Sequence, residues 1–158
     1  MASANKLSIM RITKELKKLL SENIDGIIIN EPAQDIMKWS VQIKGAPGTF
    51  YENGIFEMLI RFDDDYPIKA PSVKFLTPMY HPNIYKDGKI CVDILQPHEW
   101  TPSQNIRTIL LSIQSLLMDP NPSSPANREA AELYNKNIKE YEKKVREFIK
   151  ENADKKIE

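Results

Sequence analysis

The chain has 158 residues, with 22 lysines and arginines, 22 aspartates and glutamates, and one cysteine. This length is typical of a single domain, which we predict to span residues 1–158. The formal net charge of zero gives no electrostatic argument for binding nucleic acid or a membrane surface, and the lone cysteine excludes an internal disulfide.

The first predicted element is an amphipathic helix. Basic residues, among them Arg11 and Lys14, lie mostly off its apolar stripe. The basic side therefore faces water or could attract an acidic protein partner. The apolar stripe has the spacing of one helical face and consists of Ile9, Ile12, Leu16, Leu19 and Leu20.

Strand periodicity follows this helix. Apolar and polar residues alternate over residues 38–44, 56–62 and 72–76, and residues 26–29 could supply a further strand. Glycine and proline interrupt the chain between these segments. Such short gaps favour an antiparallel meander, because parallel strands need long crossover connections.

The next segment, residues 80–100, follows neither period. An irregular segment of this length inside a compact domain is usually functional or flexible. Cys91, the only thiol, lies within it. Reactive groups concentrate on loops that a rigid scaffold holds, so Cys91 is a candidate nucleophile, with a buried and inert cysteine as the common alternative.

The last third of the chain is helical. An apolar stripe runs over residues 106–117, and either the segment 101–104 or Asn105 could cap its start. Two more helices are predicted to begin at Asn127 and Asn137. Strands followed by helices predict an α+β fold.

From these residues alone, several kinds of chemistry are compatible with Cys91. A cysteine protease needs a histidine base beside the thiol, for which only His81 and His98 exist, and the chain shows no paired spacing typical of a zinc site. For His81, which begins a His-Pro-Asn tripeptide, we favour a structural role in a turn. The amide of Asn83 could stabilise an oxyanion or hold the same turn.

Distinctive motifs follow one another from the predicted strands to the first C-terminal helix. They are residues 65–67 (Asp-Tyr-Pro) with Pro71, residues 80–84 (Tyr-His-Pro-Asn-Ile), residues 88–95, residues 100–102 (Trp-Thr-Pro) and residues 119–122 (Asp-Pro-Asn-Pro). This series resembles the motifs of the ubiquitin-conjugating enzyme (E2) family, and the likeness extends from the first helix to about Phe148. The stretch 123–127 is similar to E2s that ubiquitinate histones and N-end-rule substrates.

The resemblance implies a fold and a reaction. The fold is an N-terminal helix, a four-stranded antiparallel meander and three C-terminal helices, in agreement with the periodicity. In the reaction, an E1 activating enzyme passes ubiquitin to Cys91 as a thioester, and a substrate lysine takes it, usually with an E3 ligase. The implied partners are therefore ubiquitin, an E1, E3 ligases and protein substrates of a monomer. No bound metal or cofactor is expected, since the E1 uses the ATP.

The resemblance also implies supporting roles near Cys91. Asn83 would stabilise the oxyanion or order the loop that shields Cys91. Ser124 matches a position that is often aspartate in the family, and a serine can orient an incoming amine but cannot attract or deprotonate it. Asp119 opens the same loop, and for it we favour capping or loop shaping.

Binding surfaces carry over from the family as well. Arg11 and Lys14 resemble the face that contacts the E1, whereas contacts with E3 ligases map to Ile68, Pro102 and Ser103. Ordinary loop anchoring is the alternative for Ile68 and Pro102.

Expectations for three further positions concern the surface of the domain. Leu111 matches a helix position that holds the donor ubiquitin in a closed state, with core burial as the alternative. On the sheet face away from Cys91, family members bind a second ubiquitin non-covalently. Ile28 is our candidate for that face, with a strand that simply packs as the alternative. His98 is expected to face solvent, in a stretch one residue longer than in similar E2s.

Other functions stay open from sequence alone. An inactive E2-like binding module is disfavoured because such relatives lack the cysteine. An E2 for a ubiquitin-like modifier shares the core motifs, although residues 121–127 favour ubiquitin. A lone cysteine, short apolar runs and a start without a signal-peptide core lead us to expect a cytoplasmic or nuclear protein.

Overall fold

The computed structural model describes residues 5–157, so residues 1–4 and 158 of the predicted domain lie outside the described part. An N-terminal helix, a four-stranded sheet and three C-terminal helices confirm the predicted α+β fold. The elements are α1 Lys6–Ser21, β1 Ile27–Asn30, β2 Lys38–Lys44, β3 Ile55–Arg61, β4 Ser72–Phe75, a short 3₁₀ helix Asp93–Leu95, α2 Ile106–Met118, α3 Arg128–Lys136 and α4 Ile138–Asn152.

The sheet is the predicted antiparallel meander, with strand order β1-β2-β3-β4. Buried and more exposed residues alternate along β2 and β3, because successive side chains of a strand point to opposite faces. Trp39 pairs with Ile60, and Val41 pairs with Met58. All four side chains are fully buried, so the inner face of the sheet forms one side of the core.

The predicted strand limits differ slightly from the observed ones. Phe62 was predicted to end the third strand, but β3 stops one residue earlier. The Phe62 N–H donates to the carbonyl of Met37, which precedes β2, so the chain leaves the ladder there while the Phe62 ring stays buried.

Helices α1 and α2 bury the apolar stripes that their sequences predict. Ile12, Leu16 and Leu19 of α1 belong to the same hydrophobic cluster as the inner face of the sheet. Leu20, predicted on the same stripe, is 43% exposed because it lies at the edge of the stripe in the last turn. The buried residues of α2 are Ile106, Ile109, Leu110, Ile113 and Leu117.

Asparagine caps the start of all four α-helices within residues 5–157. A cap side chain accepts a hydrogen bond from a backbone N–H that has no partner in the first turn. At α2, Asn105 is the cap and accepts from Thr108 N at 2.8 Å, which decides between the two predicted alternatives. The other three caps are Asn5, Asn127 and Asn137.

The helices of the described range 5–157 are too short or too polar to cross a bilayer.

Candidate functional site

Cys91 follows a tight turn that packs beside β4. Isolated bridges pair Lys74 with Lys89 and Ile84 with Ile90, so the segment predicted as irregular folds back on itself. Gly88 has a φ of +91°, in the left-handed region that favours glycine. These contacts bring the backbone before Cys91 against the edge of the sheet.

The Cys91 thiol is free and partly exposed. The Cys91 N–H donates to the carbonyl oxygen of Asn83 at 2.8 Å, which fixes the backbone that carries the sulfur. Within residues 5–157, no three His, Cys, Asp or Glu side chains come together as a metal site. Because Cys91 is partly exposed, solvent reaches this residue.

His81 is completely buried, and both of its ring nitrogens are hydrogen-bonded. A carbonyl only accepts, so Nε2 must donate to the carbonyl of Leu116 at 2.8 Å, and Nδ1 accepts from the N–H of Asn83 at 2.9 Å. Burial lowers the pKa of His81 to about 4, although the bond to Leu116 opposes this shift. Near pH 7 the ring is neutral and holds the turn, and neither nitrogen is free to accept the thiol proton of Cys91.

Asn83 links the turn to the loop after α2. Its side chain is 1% exposed, and its Nδ2 donates to the carbonyls of Asn121 at 2.8 Å and Ser124 at 3.1 Å. Its Oδ1 accepts from the Asn121 N–H at 2.8 Å. Both amide hydrogens are thus used, so in this arrangement Asn83 orders the loop and has none left for an oxyanion.

Two more bonds join the same loop to the turn. The N–H groups of Ala126 and Asn127 both donate to the carbonyl of Pro82, at 2.7 and 3.0 Å. Together with the Asn83 amide, these contacts hold the loop beside the residue that also fixes Cys91. The turn before Cys91 and the loop after α2 are therefore held together as one unit.

Ser124 and Asp119 lie at the surface of this loop. The Ser124 side chain is exposed and makes no hydrogen bond to another residue within 5–157, whereas its carbonyl accepts from Asn83. Asp119 is exposed at the C-cap of α2, where its N–H donates to Ser115 O at 2.9 Å. Asp119 thus ends the helix and starts the loop, and Ser124 presents a hydroxyl to solvent.

Arg11 is more tightly built into the fold than its sequence position indicates. Its Nε lies 2.8 Å from the Glu15 carboxylate, and its Nη2 donates to the carbonyls of Pro102 at 3.1 Å and Gln104 at 2.8 Å. Arg11 therefore connects α1 to the loop that contains two of the predicted E3 contacts. Lys14, on the same helix, is exposed.

Glu15 is a structural hub that the sequence reasoning missed. Its Oε2 accepts from Arg11 and from the hydroxyl of Tyr66, and its Oε1 accepts from the Ile106 N–H at 2.8 Å. Burial and the neighbouring carboxylate raise the pKa of Tyr66. The only local signal was the spacing of Arg11 and Glu15, which suits an ion pair on one helix face.

The remaining predicted contact positions lie on the surface. Ile68 is 73% exposed, and Pro102 and Ser103 are exposed at the neighbouring loop. Leu111 is 37% exposed, so partial exposure rather than core burial is what the structure shows. His98 is also exposed, with its Nε2 3.9 Å from the Glu99 carboxylate.

The outer face of the sheet carries Ile28, which is 43% exposed and pairs with Gln42 on β2. The segment after α4 lies against another part of this face. Lys156 Nζ is 2.9 Å from the Glu57 carboxylate of β3, and the Ile157 N–H donates to Leu76 O at 2.6 Å. Part of the outer face is therefore already covered by the chain itself.

Comparison with known families decides the identity. The family model described as ubiquitin-conjugating enzyme matches residues 11–149, which includes every residue of the site above. The chain belongs to the ubiquitin-conjugating enzyme family. Membership makes it an E2 enzyme, a ubiquitin transferase, and implies interaction with ubiquitin, an E1 and E3 ligases in general.

Individual E2 enzymes are similar over most of the chain. The chain is 44% identical to ubiquitin-conjugating enzyme E2 2 of Candida glabrata over 142 residues, covering 90% of this chain and 84% of that protein. It is 45% identical to the Mycosarcoma maydis protein of the same name, over 88% of this chain and 75% of that protein. It is 43% identical to the Saccharomyces cerevisiae protein of that name, over 90% of this chain and 82% of that protein.

Proposed function

We propose that Cys91 is the residue on which this E2 carries ubiquitin. In charging, the Cys91 thiolate attacks the carbonyl carbon of the E1–ubiquitin thioester, a new C–S bond forms, and the E1 thiolate leaves. In transfer, the neutral ε-amine of a lysine attacks, Cys91 leaves as a thiolate, and the extra amine proton passes to solvent. The observation that carries this proposal is the partly exposed thiol beside a turn and loop fixed by buried hydrogen bonds.

The acceptor amine is the difficult part of this chemistry. With a reference pKa of about 10.4, only about one lysine in a thousand is neutral near pH 7.4. Partial desolvation lowers that pKa and raises the reactive fraction. We assign to Asn83 the ordering of the loop that flanks this path, to His81 the support of the turn, and to Ser124 the orientation of the amine; Asp119 shapes the loop.

The partner surfaces follow from the exposed residues. The basic side of α1 at Lys14, with Arg11, is proposed to contact the E1, and Ile68 with Pro102 and Ser103 to contact E3 ligases. Leu111 is proposed to contact the donor ubiquitin, and Ile28 a second, non-covalent ubiquitin. What supports these assignments is the exposure of most of these side chains.

The modifier and the substrate class are further parts of the proposal. Residues 121–127 support ubiquitin over ubiquitin-like modifiers, and residues 123–127 resemble E2s that act on histones and N-end-rule substrates. We propose a monomeric enzyme of the cytoplasm or nucleus that needs no bound cofactor of its own.

A charging assay tests the function. The native chain, with E1, ATP and ubiquitin, should form a conjugate that a thiol reductant removes. Cys91→Ser should give an ester that resists the reductant and is cleaved by hydroxide, whereas Ser124→Ala should charge normally and differ only in discharge to lysine. No conjugate on the native chain with any member of a panel of modifiers and their E1 enzymes would overturn the proposal.

A further inference from the structure

A group of buried and partly buried tyrosines packs where the turn that contains His81 meets helix α4. Tyr51, in the connection between β2 and β3, is 2% exposed, and Tyr141 of α4 is completely buried. Tyr80 and Tyr134 pack against Tyr141, with ring centroids 5.9 and 5.1 Å away. A hydroxyl buried in such a core needs a hydrogen-bond partner.

The carbonyl oxygen of Tyr80 determines the direction of the hydrogen bonds in this group. The Tyr51 hydroxyl oxygen lies 2.6 Å from the carbonyl oxygen of Tyr80 and 2.6 Å from the hydroxyl oxygen of Tyr141. A carbonyl oxygen only accepts, so Tyr51 donates its single hydrogen to Tyr80. Tyr141 must then donate to Tyr51. Burial raises the pKa of both tyrosines, so both remain protonated donors.

The accepting carbonyl belongs to the peptide that enters the active-site turn. The next residue is His81, whose ring lies 5.7 Å from the ring of Tyr51, centroid to centroid. His81 in turn accepts from Asn83, and the Asn83 carbonyl accepts from Cys91. The Tyr51 hydroxyl therefore holds one end of the turn whose other end fixes the backbone of Cys91.

We propose that Tyr51 is a positioning residue for ubiquitin transfer and that Tyr141 supports it through the hydroxyl pair. The inference rests on the proposed function of Cys91. Without the Tyr51 hydroxyl, the Tyr80 carbonyl is buried with no donor, and the turn shifts to regain one. The Asn83 amide then holds its loop less firmly, and the incoming lysine is less well oriented. Charging from the E1 needs the thiol but no lysine, so it changes little.

Single-turnover discharge of the charged enzyme to free lysine tests this role. Tyr51→Phe should lower the maximal rate of discharge about fivefold, as expected for the loss of roughly 1 kcal/mol of orientation, while the rate of charging by the E1 stays the same. Tyr134→Phe is the matched control, because it removes a hydroxyl from the same cluster that makes no hydrogen bond within residues 5–157. It should discharge at the native rate.

A double substitution separates positioning from general loosening of the core. If the hydroxyls act as one chain, Tyr51→Phe/Tyr141→Phe should discharge no more slowly than Tyr51→Phe, because the Tyr141 hydroxyl has already lost its acceptor. If Tyr51→Phe does not fold, Tyr141→Phe takes its place. This variant keeps the hydrogen bond from Tyr51 to the Tyr80 carbonyl, so it should slow discharge by a smaller but measurable amount.

The outcomes distinguish this inference from the proposed function. If Tyr51→Phe discharges at the same rate as Tyr134→Phe, the positioning role is overturned. If Tyr51→Phe does not fold, an equal rate for Tyr141→Phe and Tyr134→Phe overturns it. A parallel loss of charging and discharge in Tyr51→Phe would overturn it too, since that pattern indicates a general defect. Failure of the native chain to charge at all contradicts the proposed function instead.

Discussion

At the scale of single residues, the site depends on polar side chains that are almost completely removed from water. His81 and Asn83 are 0% and 1% exposed, and within residues 5–157 no buried side-chain nitrogen or oxygen lacks a hydrogen-bond partner. A buried polar group without a partner costs about 1–3 kcal/mol. These two residues therefore hold one geometry of the turn.

The stability of the chain should fall in mild acid because of His81. Burial lowers its pKa from 6.5 to about 4 in the folded chain, so below pH 6.5 the unfolded state takes up a proton first. The contribution of neutral, buried His81 to the free energy of unfolding is complete above pH 6.5 and is lost progressively as the pH falls toward 4. Between pH 7.5 and 5, we expect the free energy of unfolding to fall by about 2 kcal/mol from this group.

Urea unfolding at several pH values measures this effect. His98→Gln, which removes an exposed histidine, is the control with which His81→Gln is compared. His81→Gln should be less stable at pH 7.5 and lose less on acidification than the native chain. An unchanged acid dependence in His81→Gln would contradict the assignment.

At the scale of elements, single hydrogen bonds fix neighbouring parts of the fold against one another. The turn before Cys91 presses on β4, where the Phe75 N–H donates to the carbonyl of Gly88 at 2.8 Å. Elsewhere in the fold, Glu15 joins α1 to the start of α2. In both places one residue fixes the relative position of two elements, so substitutions there should cost more than their sequence context indicates.

Gly88→Ala should destabilise the chain more than Gly48→Ala. Both glycines have positive φ, +91° and +80°, so both substitutions introduce left-handed strain of about 1 kcal/mol. A Cβ at Gly88 would lie 2.0 Å from the carbonyl oxygen of Phe75, whereas none of the neighbours of Gly48 is within 4 Å. Thermal unfolding should separate the two variants by several degrees, and equal losses would show that the turn yields freely.

Glu15→Ala should lose much more stability than a variant that breaks a surface ion pair. It leaves Tyr66 and the Ile106 N–H without acceptors, at about 2 kcal/mol or more. The control is Glu142→Ala, which removes an exposed partner of Arg146 on α4 and should cost about 0.5 kcal/mol or less. Denaturant midpoints of the two variants give the comparison, and similar losses would contradict the role of Glu15 as a hub.

At the scale of the whole molecule, several apolar side chains stay exposed after the core is complete. They lie on α1, on the loops at Ile68 and Pro102, on α2 at Leu111 and on the outer sheet face at Ile28. Single exposed apolar residues are common in proteins. In an enzyme that works with other proteins, these separate positions suit contacts with different partners.

Leu111→Ala should slow discharge of ubiquitin without unfolding the chain. If the donor ubiquitin covers this side chain, its loss should cost about 1 kcal/mol of transition-state binding, or about fivefold in rate. The control is Leu20→Ala, in which the leucine is 43% exposed, on α1 rather than α2. Both variants should keep a thermal midpoint close to the native one, and equal discharge rates would remove Leu111 from the proposed contact.

The sequence by itself determined the order and type of the helices and strands, and it is the basis on which Cys91 is proposed as the reactive residue. Strand alternation and helical stripes are local patterns, because burial on one face repeats every few residues along the chain. The asparagine caps and the motif around Cys91 are equally local. For this reason the α+β fold and the family could be predicted before the structure, apart from strand ends and the exposure of Leu20.

Only the tertiary structure decided which side chains hold the site together. Tyr51 meets Tyr141 across 90 positions, Glu15 meets Ile106 across 91, and Asn83 meets Asn121 across 38. No periodic pattern identifies partners so far apart. Their pairing follows from burial, which forces each polar atom that the folding chain brings into the core to find whatever partner the packing places beside it.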